Sequence, residues 1–407
     1  MGKIENRDLA AFSILHFLVD FGCIFLLTAF LLPLMADRFT WVCCLVTYNL
    51  FAFALQLPAG AFGDLYGRPK KLAAAGCLLI ALAYGVIGML LLAEPALQNA
   101  GGDLVSVSGT AAGGAGAASS PVPLFAAAVI AGAGNAFFHV GGGIDTLKNS
   151  GGLAGRPGLF VSTGAFGVWL GPVLASRNMG IAIGMTAGIL PMLAGGILMI
   201  LLERADRRLP ETIPEPDTEA AAEFPQIKNT KSRHGIAVLA VSCLFLTVVI
   251  RSYAGGLTGF SWKAVPLLAF LFIAGVAGGK MAGGFLGDRI GWMRSAAGSL
   301  LLSLLLFAAA ANHPACGILG IFFFNMTMPV TLTAIAEIAG PDHEGAAFGL
   351  TTFALFLGTL PSSVNILTKT DLSPAWMLGP SIVMSVLLIC AGLSHPKLKR
   401  CRDSGRG

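Results

Sequence analysis

The sequence predicts an all-α polytopic membrane protein of twelve transmembrane helices in two pseudo-symmetric six-helix bundles. Three observations predict it. Hydrophobic residues make up 55% of the 407 and charged residues only 12%, about half the roughly 25% charge of soluble domains. A mean hydropathy of +0.79 leaves too little polar surface to cover a water-soluble fold of this size. The apolar residues fall in twelve long blocks, and one charged segment divides them six and six. The formal net charge of +5 is no sign of nucleic-acid binding, because the basic residues sit in short segments between apolar blocks.

Crossing the hydrocarbon core takes about 20 apolar residues in a helix. The qualifying blocks lie at 8–35, 39–62, 72–93, 122–145, 157–176, 178–202, 235–257, 264–286, 294–312, 315–338, 344–367 and 374–395. The first is too long for a cleaved signal peptide. Lys and Arg favour cytoplasmic loops, and 20 of the 26 fall on one side when the N-terminus is placed inside. Both termini are therefore expected in the cytoplasm, in a multi-pass protein of the cell (inner) membrane. An even number of spans fits that orientation.

Residues 203–234 carry six basic residues, seven acidic residues and four prolines; they are expected to form a flexible cytoplasmic linker. It separates an N-terminal bundle at 1–202 from a C-terminal bundle at 235–395, which is followed by a basic tail at 396–407. The Gly/Ala/Ser-rich stretch within 95–121 has no Lys or Arg and is read as an outer spacer. The eight cysteines form no CxxC pair or Cys/His cluster and read as small buried hydrophobes, with no metal or disulfide expected.

The six-plus-six division invites a search for an internal repeat. The second and third spans are joined through Gly60-Ala-Phe-Gly-Asp64-Leu-Tyr-Gly67-Arg68, and the eighth and ninth through Gly284-Phe-Leu-Gly-Asp288-Arg289-Ile-Gly291. Both read G-x-x-x-D-x-x-G with bases near the second glycine. The first glycine permits close helix approach, the second turns the chain, and the charges fix the hairpin.

This duplicated motif resembles the signature of the major facilitator superfamily of secondary transporters, across essentially the whole chain. The resemblance implies that Asp64 bridges in one conformation to the start of the eleventh helix, near Asp342–Glu344, as a latch. Leu65, Pro69 and Trp292-Met293 depart from the usual basic pattern, so a weaker latch than the family's is expected. In the fifth span, Gly158, Gly167, Gly171 and Pro172 match the G-x8-G-x3-G-P spacing of the superfamily's exporters, with Ala175-Ser176 in place of the closing glycines. Such a bare, kinkable face suits sealing against a partner helix. Ordinary small-residue packing is the plainer alternative. His16-Phe-Leu-Val-Asp20, Asn135-Ala-Phe-Phe-His139, Ser162 with Gly167 and Gly171, Arg251-Ser-Tyr253 and Gly345-Ala-Ala-Phe-Gly349 are similar to the fosmidomycin-resistance group of exporters.

Ionisable residues at membrane depth are costly and mark function by default. His16 and Asp20 lie four apart on one face of the first helix, and Asn135 and His139 four apart on the fourth. The resemblance places both helices at the central cavity, so Asp20 and His139 are expected to approach. Asp20 is read as the main proton carrier, with His16 and His139 as modulators or substrate ligands; the alternative is a fixed pair bracing helix packing. Candidate substrate contacts are Asn135, Asn49, Asn325, Arg251 and Tyr253. Arg251 either holds an anionic group or snorkels to the outer surface. Lys280 is read as snorkelling to the cytoplasm, and Asp145 and Glu337 as gate contacts between the bundles.

The expected function is a proton-coupled exporter of a small amphipathic or anionic compound. The chain is expected to be a monomer without cofactors, partnered by protons, substrate and lipid. No P-loop for ATP and no HExxH or GxSxG is present, so neither an ATP-driven pump nor an enzyme is expected. An importing symporter or uniporter on the same scaffold is the nearest alternative, and a non-transporting receptor a more distant one.

Overall fold

The computed structural model describes residues 2–93, 120–177, 179–207, 230–368, 372 and 374–398. The described residues hold helices and no strand. Among the described residues, twelve helices are long and apolar enough to span a membrane: α1 (Glu5–Leu34), α2 (Arg38–Tyr66), α3 (Pro69–Ala93), α4 (Val122–Lys148), α5 (Gly155–Ala175), α6 (Ile181–Asp206), α7 (His234–Gly256), α8 (Pro266–Ile290), α9 (Trp292–Ala309), α10 (Pro314–Ala339), α11 (Glu344–Asn365) and α12 (Ala375–Leu393). The side that carries the start of α1 and the end of α12 is here called the terminal side. Most of the 95–121 stretch, the centre of the 203–234 segment and most of the tail lie outside the described residues.

Helix packing repeats with an offset of six. α1 lies against α5 as α7 does against α11; α3 contacts α4 and α6, as α9 contacts α10 and α12. The same offset relates the two long contacts between the halves, α2 with α11 and α5 with α8. This is the pseudo-twofold relation expected of the duplicated motif. α4 and α10 are the most deeply buried spans.

Local chemistry sets the helix ends. Asp37 caps α2 by accepting from the Thr40 amide at 2.8 Å, an N-cap arrangement. Its carboxyl is held below its ordinary 3.8 by that backbone hydrogen bond and by the Thr40 hydroxyl. Gly67 closes α2 in the left-handed region at φ 64, which a residue without Cβ adopts at no steric cost. Nothing before Gly67 breaks the helix, so Gly60 and Asp64 ride on the last turns of α2 rather than in a connecting loop. Gly284 and Asp288 sit likewise on α8, which Gly291 ends at φ 98. α1 and α2 each contain a π-helical stretch, Leu26–Leu31 and Leu50–Ala54. α10 is interrupted at Met326, immediately after Asn325.

The seven described cysteines are free, and three of them, Cys23, Cys44 and Cys77, are fully buried. They pack as small apolar groups.

Candidate functional site

α1, α4 and α5 bring His16, Asp20, Asn135 and His139 into one buried cluster. His16 Nδ1 lies 2.7 Å from the Phe160 carbonyl of α5, and His139 Nδ1 2.8 Å from the Asn135 carbonyl. Carbonyl oxygens only accept, so each Nδ1 carries its hydrogen and donates. The two Nε2 atoms then face one another at 2.9 Å. That spacing is a hydrogen bond only if one of them is also protonated; two bare lone pairs repel. Asp20 supplies the balancing charge, with oxygens 3.3 Å from His16 Nε2 and 3.5 Å from His139 Nε2. Asn135 Nδ2 donates to Asp20 at 3.2 Å. Among the described residues this trio is the one group of His, Cys, Asp or Glu side chains converging closely enough to hold a small cation, and the donor set suits a shared proton.

Glycines of α5 make room for the cluster. A Cβ on Gly164 would collide with Asp20 Oδ2 and His16 Nε2, and one on Gly167 with the α1 backbone at Phe17 and Phe21. Gly171 lies against Ile24 and Phe25, and Gly158 against Lys280 and Gly284 of α8. Pro172 lies within the last turns of α5. The glycine face therefore seals against two partners, α1 and α8.

On the other half, Arg251 of α7 is 5% exposed, so it does not reach the outer surface. Its guanidinium lies 4.9 Å from the centre of the Phe324 ring, and its Nε has no hydrogen-bond partner. Lys280 does not snorkel either: its ammonium donates to the Val161 carbonyl of α5 at 3.1 Å. The glycines around it let α8 lie so close to α5 and α10 that the chain turns inward. Arg251 and Lys280 come to one turn of α10, Arg251 over Phe324 and Gly279, next to Lys280, against Phe322 and Asn325. Asn325 is buried and turns its amide to the Ile321 carbonyl at 2.9 Å. Asn49 is half-buried just before the π-helical stretch of α2. Tyr253 lies apart, its exposed hydroxyl donating to the Leu372 carbonyl at 3.0 Å.

The terminal side is closed by two matching caps. Asp64 accepts from the Gly345 and Ala346 amides at 2.7 and 2.9 Å, at the start of α11. Asp288 accepts from the Ala154 and Gly155 amides at 2.9 and 2.8 Å, at the start of α5. A carboxylate on free helix amides is favoured by hydrogen bonding and by the helix dipole. Trp292 donates to Asp288 at 3.0 Å, which fills a place where the motif usually carries a base. Cβ atoms on Gly60 and Gly284 would overlap the backbones at Gly345 and Ala154, so these glycines let the helices touch. Arg68 and Arg289 are exposed and take no part in either cap. Lys148 adds a bridge from α4 to Asp342 at 3.1 Å.

Asp145 is not a contact between the halves. It belongs to a buried network at the terminal ends of α1, α3, α4 and α6, in which Lys70 meets Asp8, Asp145 and Asp206 at 2.8, 3.2 and 2.7 Å. Arg7 joins through Asp206 at 2.6 Å. Glu337 does face the other half, with its carboxylate beside Gly152. The network and Gly164 are absent from the sequence reading: Lys70 looks like one more loop base, and Gly164 falls outside the exporter spacing.

Twelve spans, six-helix repetition and charge buried between the halves define a secondary-transporter fold. The family model of the Major Facilitator Superfamily matches residues 12–363, and the chain belongs to that superfamily. No curated protein sequence matches significantly. Among solved structures, the chain is similar to the human organic anion transporter MFSD10, at 14% identity and TM-score 0.62 over 95% of this chain and 99% of that one. It is also similar to a bacterial homologue of the iron transporter ferroportin in its outward-facing state, at 13% identity and TM-score 0.59, covering 96% and 98%. The E. coli fucose:proton symporter FucP matches at 14% identity and TM-score 0.57, covering 94% and 97%. Likeness at this identity speaks for the fold alone. Membership of the family speaks for a small-molecule transporter rather than an enzyme.

Proposed function

We propose that the chain is a proton-coupled transporter that exports a small amphipathic or anionic compound by alternating access. The observation that carries this reading is the His16–Asp20–His139 cluster. Its two fixed Nδ1–H groups leave facing nitrogens that need one proton, beside a carboxylate that balances it. Loading and unloading that proton changes the buried charge by one unit, enough to bias a helix interface in low dielectric. Asp64 and Asp288 act as the latches of the terminal side, which we assign to the cytoplasm of a cell-membrane protein with both termini inside. The 1–202 and 235–395 halves rock as units about the site. Asn135, Asn49, Asn325, Arg251 and Tyr253 remain the candidate substrate contacts, with Tyr253 at the outer rim. The α5 glycine face and the short strings around Asp20, His139 and Arg251 favour the fosmidomycin-resistance type of exporter, working as a monomer. One proton moving through 100 mV supplies about 2.3 kcal/mol, close to a fiftyfold concentration ratio.

One observation favours a second reading, proton symport of an anion. Lys280 is held by the Val161 carbonyl, next to the Phe160 carbonyl that receives His16, so protonating the cluster removes negative charge that competes with an anion for Lys280. Proton and anion then bind together, the sign that symport needs, whereas antiport needs them to compete.

Cells expressing wild type and D20N are compared across a panel of growth-inhibitory compounds. Compounds giving resistance are then assayed in everted vesicles with and without a pH gradient. Gradient-dependent accumulation in wild-type vesicles, lost in D20N, is expected. Full proton-dependent export by D20N sinks the coupling assignment, and gradient-driven accumulation by whole cells replaces export with symport.

A further inference from the structure

We propose that Arg251 of α7 and Lys280 of α8 form an anion-binding site, and that the transported compound presents a carboxylate or phosphate group to both. This rests on the transporter reading above and specifies its substrate class.

Arg251 is buried, yet among the described residues it makes no ion pair and no hydrogen bond; its guanidinium meets only the face of Phe324, 4.9 Å away. Lys280 donates one hydrogen bond, to Val161 at 3.1 Å, and its ammonium has two further hydrogens to give. Both cations come to one turn of α10: Arg251 lies over Phe324, and Gly279, next to Lys280, lies against Phe322 and Asn325. Elsewhere among the described residues Lys70, a buried cation, has three carboxylates around it. Burying a cation without a counter-ion is costly, and Arg251 is buried without one while Lys280 is half-buried.

The link from Lys280 to a carboxylate runs through α5, where Val161 receives Lys280 and the adjacent Phe160 receives His16, the neighbour of Asp20. Asp20 already faces both histidines of the cluster, at 3.3 and 3.5 Å. With one proton on the histidine pair, Asp20 is balanced locally, and Arg251 and Lys280 are left with excess positive charge. An oxyanion matches what they present. A guanidinium held against an aromatic face offers a planar fork that fits a carboxylate or phosphate edge, and an ammonium adds a mobile point charge. The site draws on α7 and α8, while Val161 ties Lys280 to α5 across the halves. An anion taking Lys280's remaining hydrogens therefore sits where the halves move against each other.

The test uses the purified full-length chain in detergent at pH 7.5, followed by thermal unfolding against benzoate, phenyl phosphate, neutral benzamide and cationic benzylamine. Both anions are expected to raise the unfolding temperature of wild type, and benzamide and benzylamine to leave it unchanged. R251Q and K280Q are each expected to weaken the anion response about tenfold or more, and K280R to retain most of it. If R251Q does not fold, the contrast between K280Q and K280R decides. Absence of any anion response in wild type overturns the proposal, as does equal stabilisation by benzamide or an unchanged response in K280Q. D20N removes the charge that competes with an anion for Lys280, so it is expected to keep or strengthen the anion response even though it loses coupled transport. Failure of the proton assignment and failure of the anion site are thereby told apart.

Discussion

Removing the carboxylates that cap α11 and α5 should open the terminal side in proportion to the hydrogen bonds lost. Asp64 accepts two amides at 2.7 and 2.9 Å, and Asp288 two at 2.9 and 2.8 Å. A hydrogen bond to a charged group contributes about 1.5–3 kcal/mol net when buried, and a carboxylate at a helix N-terminus adds about 0.3–1 kcal/mol. Both acids are half-buried, and water reaches the freed amides in the open state. A difference of about 2 kcal/mol between open and closed states is therefore the working figure for each cap, which is close to a thirtyfold change in population. The caps share no partner, so their effects should add, giving about a thousandfold in D64A/D288A.

The assay is alkylation of a single cysteine at Ala347, which is 3% exposed on the first turn of α11, in an otherwise cysteine-free chain. The alkylation rate reports the fraction of time the terminal side is open. D64A and D288A are each expected to speed labelling about thirtyfold, and the pair to multiply. Unfolding temperatures measured in parallel separate opening from unfolding. If both single variants label within about twofold of the parent while remaining folded, the caps do not hold this side shut and the energetic argument is wrong.

Two further expectations concern packing and charge. Gly164→Ala places a methyl on Asp20 Oδ2 and His16 Nε2; overpacking of this kind costs about 1–3 kcal/mol, and transport should fall more than stability. Gly85→Ala, with nothing within 4 Å of the new methyl, is the control, and equal behaviour of the two in a transport assay refutes the steric account. Lys70→Ala leaves buried Asp145 without a cation, while Asp8 and Asp206 keep Arg7 at 2.7 and 2.6 Å, a loss of about 3 kcal/mol. Asp145→Asn should cost less because Lys70 keeps two carboxylates, so a thermal melt ranking D145N below K70A contradicts the network reading.

The fold was legible because it depends on quantities a sequence carries directly: block length, hydropathy and a repeated motif. Asp64 and its α11 partner were legible through the motif, although the weakened basic pattern did not keep the carboxylate from taking two amides. The Asp288 cap on α5 follows from the same repeat shifted by six helices, although the sequence reading gives a helix-start partner to Asp64 alone. The meeting of Asp20 with His139 was readable from i, i+4 spacing once the helices were placed. The facing Nε2 atoms were not, because they depend on the Phe160 and Asn135 carbonyls, and any residue type supplies a carbonyl. Lys280 reads as a snorkelling side chain, and Arg251 as either an anion holder or a snorkelling one, because depth along a helix is visible in a sequence and direction is not. Lys70 was misread for the opposite reason: it sits at a helix end where solvation is the rule, and three acids from distant parts of the chain enclose it.

α5 joins these features mechanically. Its first turn is held by Asp288, its Phe160 carbonyl receives His16, and its next carbonyl, Val161, receives Lys280. Gly164, Gly167 and Gly171 then press the same helix against α1 around Asp20. Adjacent carbonyls on one rigid helix thus read the charge of the N-terminal cluster and the position of the C-terminal lysine. Their spacing is fixed by the helix backbone, so a change in either hydrogen bond shifts α5 as a body. The Asp288 amides lie within two turns of Phe160, and a shift of an ångström there stretches both cap bonds beyond good geometry. The α5 face at Gly164, Gly167 and Gly171 carries no side chain against α1, which leaves the Phe160 ring, packed on Phe12 and His16, as the side chain that such a shift must move. Under the function proposed above, the fifth-span glycine pattern and the eighth-span aspartate are parts of one coupling device, in which a proton, a substrate anion and the terminal-side gate would act on the same helix.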